Sequence, residues 1–293
     1  MKEFFIEYLT ENHYENPVNQ GYFEFTIIPC ESPYQTSQLI QLHYNLKGVH
    51  FFSHNKYDFE TLHVRSEASF DHFRLSYKAR VKKESPDFIT SSQKTICEEL
   101  DFMQKNSFYL QYAPFLHPTA LTKLPRKHIP AELLRRDKEN IGVYLERLNA
   151  QLAEILSYQS GITQADTTAE EAMERKKGVC QDFSHVMIGI LRYQHIAARY
   201  VSGYLNSGEN AADAHLHAWV EVYIPFVGWK GFDPTNRLME DEHYIKIAHG
   251  KDYLDCQPIK GILKTQGENR GSYSIRVEEK IELNPQEIYQ QQQ

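Results

Sequence analysis

Alternating apolar and polar residues predict β-strands in the first part of the chain. Apolar side chains fill every second position from 73 to 81, which is typical of an antiparallel strand with one buried face. Shorter strands are predicted over 22–28 and 38–46, and this period of two excludes an all-helical region. Residues 1–84 are therefore expected to form an N-terminal β domain. Its histidines show no catalytic constellation and are interpreted as surface or strand residues: His13, His43, His50, His54, His63 and His72.

Helical patterns follow this β region. Residues 85–130 contain five prolines and a predicted helix over 92–105, which together indicate a connector. Between 141 and 155 the apolar residues recur at spacings of three and four, as on the buried face of a helix. A second apolar stripe of this kind runs from Phe183 to Leu191. Because helices come first and strands follow them, the second half is predicted to be α+β.

Two strands and a tight turn come after the helices. Leu216–Ile224 alternates regularly, so that His217 lies on a mixed face while the opposite face is aliphatic and belongs to the core. A turn over 225–228 leads to a returning strand that ends at Asp233, because the following proline has no N–H to donate. His217 and Asp233 share a face only if Tyr223 pairs with Trp229. We therefore predict that register, with an odd-length connection or a bulge that has the same effect. In the alternative register Glu221 would replace Asp233 as the candidate partner of His217.

Cys180 is the candidate nucleophile of this region. It lies in the first turn of a predicted helix, after Gly178, which can supply the sharp turn. Free N–H groups and the helix dipole favour a thiolate there, and the N–H of Cys180 is a candidate oxyanion donor. Each candidate also has an ordinary explanation: an inert buried cysteine, a strand histidine at His217, and a turn aspartate at Asp233. The order Cys, His, Asp favours a site in which His217 is the base and Asp233 orients it.

Three segments resemble the core motifs of the transglutaminase-like superfamily. They read GVCQDF from Gly178, HAWVEV from His217 and GFDPTN from Gly231. The resemblance is closest to the bacterial branch, whose members are described as cysteine proteases, and residues 199–205 and 243–261 also resemble that branch. Residues Lys251, Cys256 and Gln257 depart from it, where Arg, Val and Pro are expected, but they leave the candidate triad untouched.

The resemblance implies a papain-like Cys-His-Asp core over residues 131–289, preceded by a β-sandwich over residues 1–84. Residues 290–293 are glutamines and are expected to form a disordered tail. Trp219 shares the face of His217 and is expected to shield the reacting pair from water, while Asp182 is expected to cap or brace the helix start. The predicted function is acyl transfer at an amide or peptide bond of a peptide or protein substrate. Hydrolysis is favoured over cross-linking only by the resemblance.

Composition limits the other classes of function. The 293 residues are enough for two domains, and the net charge of −7 argues against nucleic acid or an anionic membrane as partner. No apolar run approaches the roughly 20 residues of a membrane helix, and no signal-peptide core follows the first residues. Four separated cysteines fit free thiols in a reducing cytosol. A cytoplasmic protein is therefore expected.

Two alternatives to the enzyme are considered. The first is a non-catalytic module that binds a peptide on the same fold, against which the complete triad argues. The second is a metal site, because Asp213, His215 and His217 alternate along a strand and could share a face. No third cluster with ligand spacing supports that site, so neither a metal nor another cofactor is predicted.

Overall fold

The computed structural model describes residues 1–206 and 214–280. The first part is built from six strands: β1 (Lys2–Val18), β2 (Gly21–Phe25), β3 (Gln35–Tyr44), β4 (Gly48–His54), β5 (Glu60–Ser66) and β6 (Phe70–Lys83). The alternation predicted within β6 is confirmed, since its apolar side chains are buried between exposed or half-buried neighbours. β1 is a strand that the sequence pattern does not predict. Its buried Phe4, Ile6 and Tyr8 follow the same alternation, but many charged and polar residues obscure it.

The connector contains two helices where one is predicted. α1 (Ile96–Met103) begins at a capping box formed by Thr95 and Glu98. α2 (Asn106–Leu116) is not predicted by the sequence pattern. It carries Pro114 in its last turn, and proline disfavours the interior of a helix. The aromatic side chains of α2 pack against the core sheet, with Tyr112 only 4.3 Å from Tyr223 between ring centroids. Residues 85–130 are therefore a packed layer of the molecule rather than a free linker.

Three helices and two short strands precede the core sheet: α3 (Ile141–Ile155), β7 (Ser157–Tyr158), α4 (Ala169–Arg175), β8 (Lys177–Gly178) and α5 (Cys180–Tyr193). The predicted buried face of α3 is confirmed. β7 and β8 pair in parallel and bring residue 158 beside the start of α5. Every residue of α5 from Asp182 to Arg192 is buried, so α5 is the central helix of the core. Within residues 1–206 and 214–280, no helix combines the length and apolar character needed to cross a membrane.

The core sheet is antiparallel, in the order β12-β11-β10-β9-β13. Its strands are β9 (Ala198–Leu205), β10 (Leu216–Ile224), β11 (Gly228–Asp233), β12 (Leu238–Met239) and β13 (Tyr244–Gly250). α5 packs on β9 and β10. Tyr223 pairs with Trp229 and Ile224 with Gly228, leaving a three-residue connection. The predicted register is confirmed, and it places Asp233 on the face of His217.

The last two strands depart from the predicted domain boundary. β14 (Ile259–Leu263) pairs with β2, and β15 (Asn269–Glu279) pairs with β1 along its length. They complete two four-stranded sheets, β15-β1-β6-β3 and β14-β2-β5-β4, which face each other through the stacked rings of Phe23 and Phe73. Assigning all of residues 131–289 to the catalytic domain is therefore wrong at its end, because these strands cover sheet edges that would otherwise be exposed. The overall α+β class is confirmed, and the predicted tail at 290–293 lies outside the described residues.

Candidate active site

Cys180 is the first residue of α5, at the end of a sharply turned segment. Oδ2 of buried Asp182 accepts a hydrogen bond of 2.7 Å from the N–H of Val179, which fixes the entry to the helix. Burial raises the pKa of the Asp182 carboxyl, although this hydrogen bond opposes the change. A side chain at Gly178 would place its Cβ 2.5 Å from that of Asp182. Gly178 is therefore required by this close approach, and not by the positive φ that a turn glycine often adopts.

His217 and Asp233 meet across the core sheet. Nε2 of His217 is 2.7 Å from Oδ2 of Asp233, whose side chain is completely buried. The backbone N–H groups of Thr235 and Asn236 donate to Oδ1. The side-chain amide of Asn236 and the hydroxyl of Tyr244 donate to Oδ2, at 2.8 and 2.9 Å. The carboxylate is thus held by the segment that follows β11 and by β13, in an orientation that leaves it facing the imidazole.

The pKa of His217 is strongly shifted by these contacts. Burial disfavours the imidazolium, but hydrogen bonds to Asp233 and Cys180 and the negative charges of both groups outweigh it and raise the pKa to about 10. The pKa of Asp233 is lowered in turn, because the His217, Tyr244 and Asn236 contacts outweigh its burial. Since Asp233 occupies Nε2, the nitrogen that remains for the sulfur of Cys180 is Nδ1. The geometry can therefore hold a thiolate, an imidazolium and a carboxylate in sequence.

Trp219 lies beneath His217 on the same face of β10. It is completely buried, its ring stacks with that of His217 at 6.4 Å between centroids, and its edge faces Gly203 on β9. Its indole N–H donates to Oε2 of Glu240 at 3.3 Å. The shielding of the pair from water by this ring stays a prediction. Glu221, the alternative partner of His217, instead forms ion pairs with Arg199 and Lys246.

A cavity of about 290 Å³ opens over Cys180 and His217. It is lined by residues of β7, α5, β9, β10 and the segment after β11: Tyr158, Cys180, Leu205, Ala214, His215, Leu216, His217, Thr235 and Asn236. Burial raises the pKa of Tyr158, and the negative charge of Cys180 adds to this effect. None of the described lining residues comes from the N-terminal β domain. Cys180 and His217 are therefore both reached from this cavity.

Two of the site's residues are not found by sequence reasoning. Asn236 carries a local signal, because it ends the GFDPTN segment with Asp233. Tyr244 carries none, since it reaches Asp233 from another strand. Asp213, one of the three residues of the metal alternative, lies outside the described residues. Within residues 1–206 and 214–280, the groups of potential metal ligands lie at other positions.

Comparisons with known proteins agree with this geometry. A model of the transglutaminase-like superfamily matches residues 127–234, which contain the first two motifs and the third as far as Pro234. An uncharacterized protein of Mycobacterium tuberculosis is 34% identical over 164 residues, which are 53% of this chain and 52% of that protein. The chain thus spans about half the length of its mycobacterial relatives. A protein-glutamine gamma-glutamyltransferase of Pseudomonas aeruginosa is 35% identical over 108 residues, 33% of this chain and 16% of that protein.

A solved structure extends the similarity to the whole fold. The crystal structure of a protein from Cytophaga hutchinsonii, described as a putative cysteine protease, superposes with a TM-score of 0.74. The two share 20% sequence identity, over 97% of this chain and 93% of that one, so the likeness concerns the fold alone. Taken with the match over residues 127–234, the arrangement of α5 and the core sheet identifies this part of the chain as a domain of the transglutaminase-like superfamily.

Proposed function

We propose that the chain is a thiol enzyme that acts on amide bonds by acyl transfer through Cys180, His217 and Asp233. The observation that carries the proposal is the part-buried hydrogen bond between His217 and Asp233, with Cys180 and His217 lining the same cavity. A raised imidazole pKa in a buried cleft, shared with a cysteine at a helix start, is the arrangement that activates a sulfur nucleophile.

The reaction follows from these positions. The Cys180 thiolate attacks the amide carbonyl carbon, and the backbone N–H of Cys180 stabilises the negative oxygen that forms. The imidazolium of His217 gives its proton to the leaving nitrogen, so the C–N bond breaks and an acyl-thioester remains. The neutral imidazole then takes a proton from the incoming nucleophile, which attacks the thioester and releases the thiolate. Asp233 keeps the ring in the required orientation throughout.

Water is the second substrate that we favour, which makes the enzyme a cysteine peptidase or amidase. An amine in the same position would give a protein-glutamine transglutaminase. The similarity to the Pseudomonas aeruginosa gamma-glutamyltransferase supports that second candidate over part of the chain only. A third possibility is a peptide-binding module without chemistry, in which the sulfur would have no special reactivity.

Alkylation with iodoacetamide separates the enzyme from the binding module. Cys97 is exposed and would label in any case, so the comparison is made in a Cys97→Ser background. Cys30 and Cys256 are buried, which raises the pKa of both thiols, that of Cys30 to about 11. At pH 6 only Cys180 should react, and His217→Ala should slow that reaction. If Cys30, Cys180 and Cys256 label at equal rates, and if they label only after the protein is unfolded, the enzyme hypothesis is wrong.

The second substrate is identified by mass spectrometry. Peptides that contain glutamine and other amides are incubated with the protein, with and without an added primary amine. Hydrolysis adds the elements of water to the acyl product even when the amine is present, whereas transamidation adds the amine. The Cys180→Ala variant is the matched control and should give neither product.

A further inference from the structure

Three potential metal ligands lie together on the β-sandwich, outside the candidate active site. His13 on β1 pairs directly with His72 on β6, and directly opposed residues of antiparallel strands share a face. Glu11 precedes His13 by two residues and so lies on that face as well. The two imidazole rings stack with their centroids 4.4 Å apart. The sequence does not show this grouping, because 59 positions separate the two histidines in the numbering (72 minus 13).

The donor atoms of this group lie close together. Oε1 of Glu11 lies 2.6 Å from Nε2 of His72 and 3.5 Å from Nε2 of His13. The donor atoms of all three side chains lie within 4.8 Å of one another. Ligands of a tetrahedral zinc ion, at about 2.0–2.1 Å from the metal, are roughly 3.3 Å apart. Because the two rings stack in nearly parallel planes, coordination of one ion requires side-chain rotations that turn the ring nitrogens toward it, while the paired strands stay fixed.

The donor types of the site suit a cation of the zinc class. The group consists of one carboxylate and two imidazoles, which are ligands that such ions accept. The His13 side chain is 64% exposed, so an ion can enter from solvent. Arg74 lies opposite Glu11, and its charge would weaken the binding.

We propose that Glu11, His13 and His72 bind a divalent transition-metal ion of the zinc class, with solvent completing its coordination. At this position the ion would stabilise the pairing of β1 with β6. The β1–β6 ladder is regular from Lys2–Lys83 to His13–His72, and its register then shifts before Val18. A metal bridge at this point would hold the end of the ladder together. Because the ion would bind the folded chain only, it would raise the stability of the sandwich.

The proposal is tested on the full chain carrying Cys180→Ala, which removes a thiol that could itself bind metal. Co²⁺ is titrated with its visible absorption as readout, and Zn²⁺ by calorimetry. His13→Ala and His72→Ala should each weaken binding at least about tenfold, and the conservative Glu11→Gln should do the same if an alanine variant fails to fold. The matched control is His43→Ala, because His43 is exposed on the neighbouring strand β3.

Two further measurements distinguish a built site from general affinity. Arg74→Gln should tighten binding, since it removes a repelling charge, and Zn²⁺ should raise the Tm of the unaltered sandwich but not that of Glu11→Gln. A second group of potential ligands is formed by His128, Glu170 and Glu174. If His128→Ala abolishes binding while the His13 and His72 variants bind as before, the proposed site is wrong. Unchanged Co²⁺ spectra in all of these variants would exclude it as well.

Discussion

At the scale of single residues, Asp233 and Cys180 together set the charge state of His217. Burial disfavours the imidazolium of His217, but the hydrogen bonds and negative charges of Asp233 and Cys180 outweigh it and raise the pKa of His217 to about 10. Hydrogen-bond donors surround both oxygens of Asp233, and its contacts lower the pKa of its carboxyl against the effect of burial. In the proposed mechanism, the imidazolium that protonates the leaving amine is therefore present before the substrate arrives.

Asp233→Asn should lower turnover by roughly a thousandfold or more, because the amide neither stabilises the imidazolium nor fixes its tautomer. The loss of the charge lowers the pKa of His217, so the alkaline limb of the pH–rate profile should move from about pH 10 to lower pH. The measurement is the pH dependence of amide hydrolysis. Tyr244→Phe is the matched control: it removes one donor to Asp233 but keeps the charge, and should leave the alkaline limb in place. Unchanged turnover in Asp233→Asn would remove Asp233 from the mechanism.

The sequence predicts those residues of the site that carry local signals. Cys180 is marked by its place before an apolar helical stripe, and His217 and Asp233 by strand alternation and a terminating proline. Tyr244 hydrogen-bonds to Asp233 through pairing of β13 with β9, a contact between strands that no local pattern reports. The sequence suggests Glu221 as an alternative partner for His217, but its two cationic neighbours occupy it in the fold.

At the scale of elements, the close packing of three strands positions the site. Gly203 on β9 lies between His217 on β10 and Lys246 on β13 in the ladder. A Cβ at this glycine would be 2.3 Å from the carbonyl oxygen of Ile245 and 2.5 Å from the Trp219 ring. A shift of the β13 backbone would move Tyr244, which donates to Asp233. A shift of the indole would move the ring that stacks with His217.

Gly203→Ala should therefore destabilise the protein by about 1–3 kcal/mol, as expected of an overpacked core position. It should also slow alkylation of Cys180, because displacement of Trp219 or β13 disturbs His217. Urea unfolding and the iodoacetamide rate measure the two effects. Gly261→Ala is the matched control, since a Cβ on this strand glycine would meet only ordinary contacts of 3.6 Å or more. If both variants behave like the parent protein, Gly203 does not constrain the site.

Element order and register are predictable here, but the pairing of distant strands is not. The apolar alternation and the turn composition of β10 and β11 determine their register, because a one-residue shift would bury Asp233 in the aliphatic face. β15 pairs with β1 although more than 250 positions separate Ile6 from its partner Val277 (277 minus 6). No periodicity within either strand contains that information, so the predicted domain boundary fails at the C-terminal strands.

At the scale of the whole molecule, a buried ion pair joins the sandwich to the core. Lys83, at the end of β6, donates to Oε1 of Glu240 at 2.9 Å, and both side chains are nearly excluded from solvent. Oε2 of the same carboxylate accepts the indole N–H of Trp219 beneath His217. The sandwich thus supplies no described side chain to the cavity at Cys180. Its Lys83 nevertheless neutralises the Glu240 carboxylate, which contacts the site through Trp219.

This ion pair bears on a shortened chain that begins near Ala131 and lacks most of the sandwich. Such a chain would lose the partners of β14 and β15 as well as Lys83. It would expose sheet edges and leave Glu240 buried without its cation, so aggregation is the expected failure. The role of the sandwich is therefore better tested by a single substitution in the full chain.

Lys83→Met should destabilise the protein by about 3–5 kcal/mol, because it leaves the Glu240 carboxylate buried and unpaired. Adding Glu240→Gln should restore much of that stability, since the amide oxygen can still accept from Trp219 without carrying a charge. Lys78→Met is the control on the same strand: its exposed pair with Glu7 should contribute only about 0–1 kcal/mol. Urea unfolding followed by the iodoacetamide rate of Cys180 should show one shared transition. A stable Lys83→Met protein, or loss of Cys180 reactivity in a separate transition, would mean that the sandwich and the core are energetically independent.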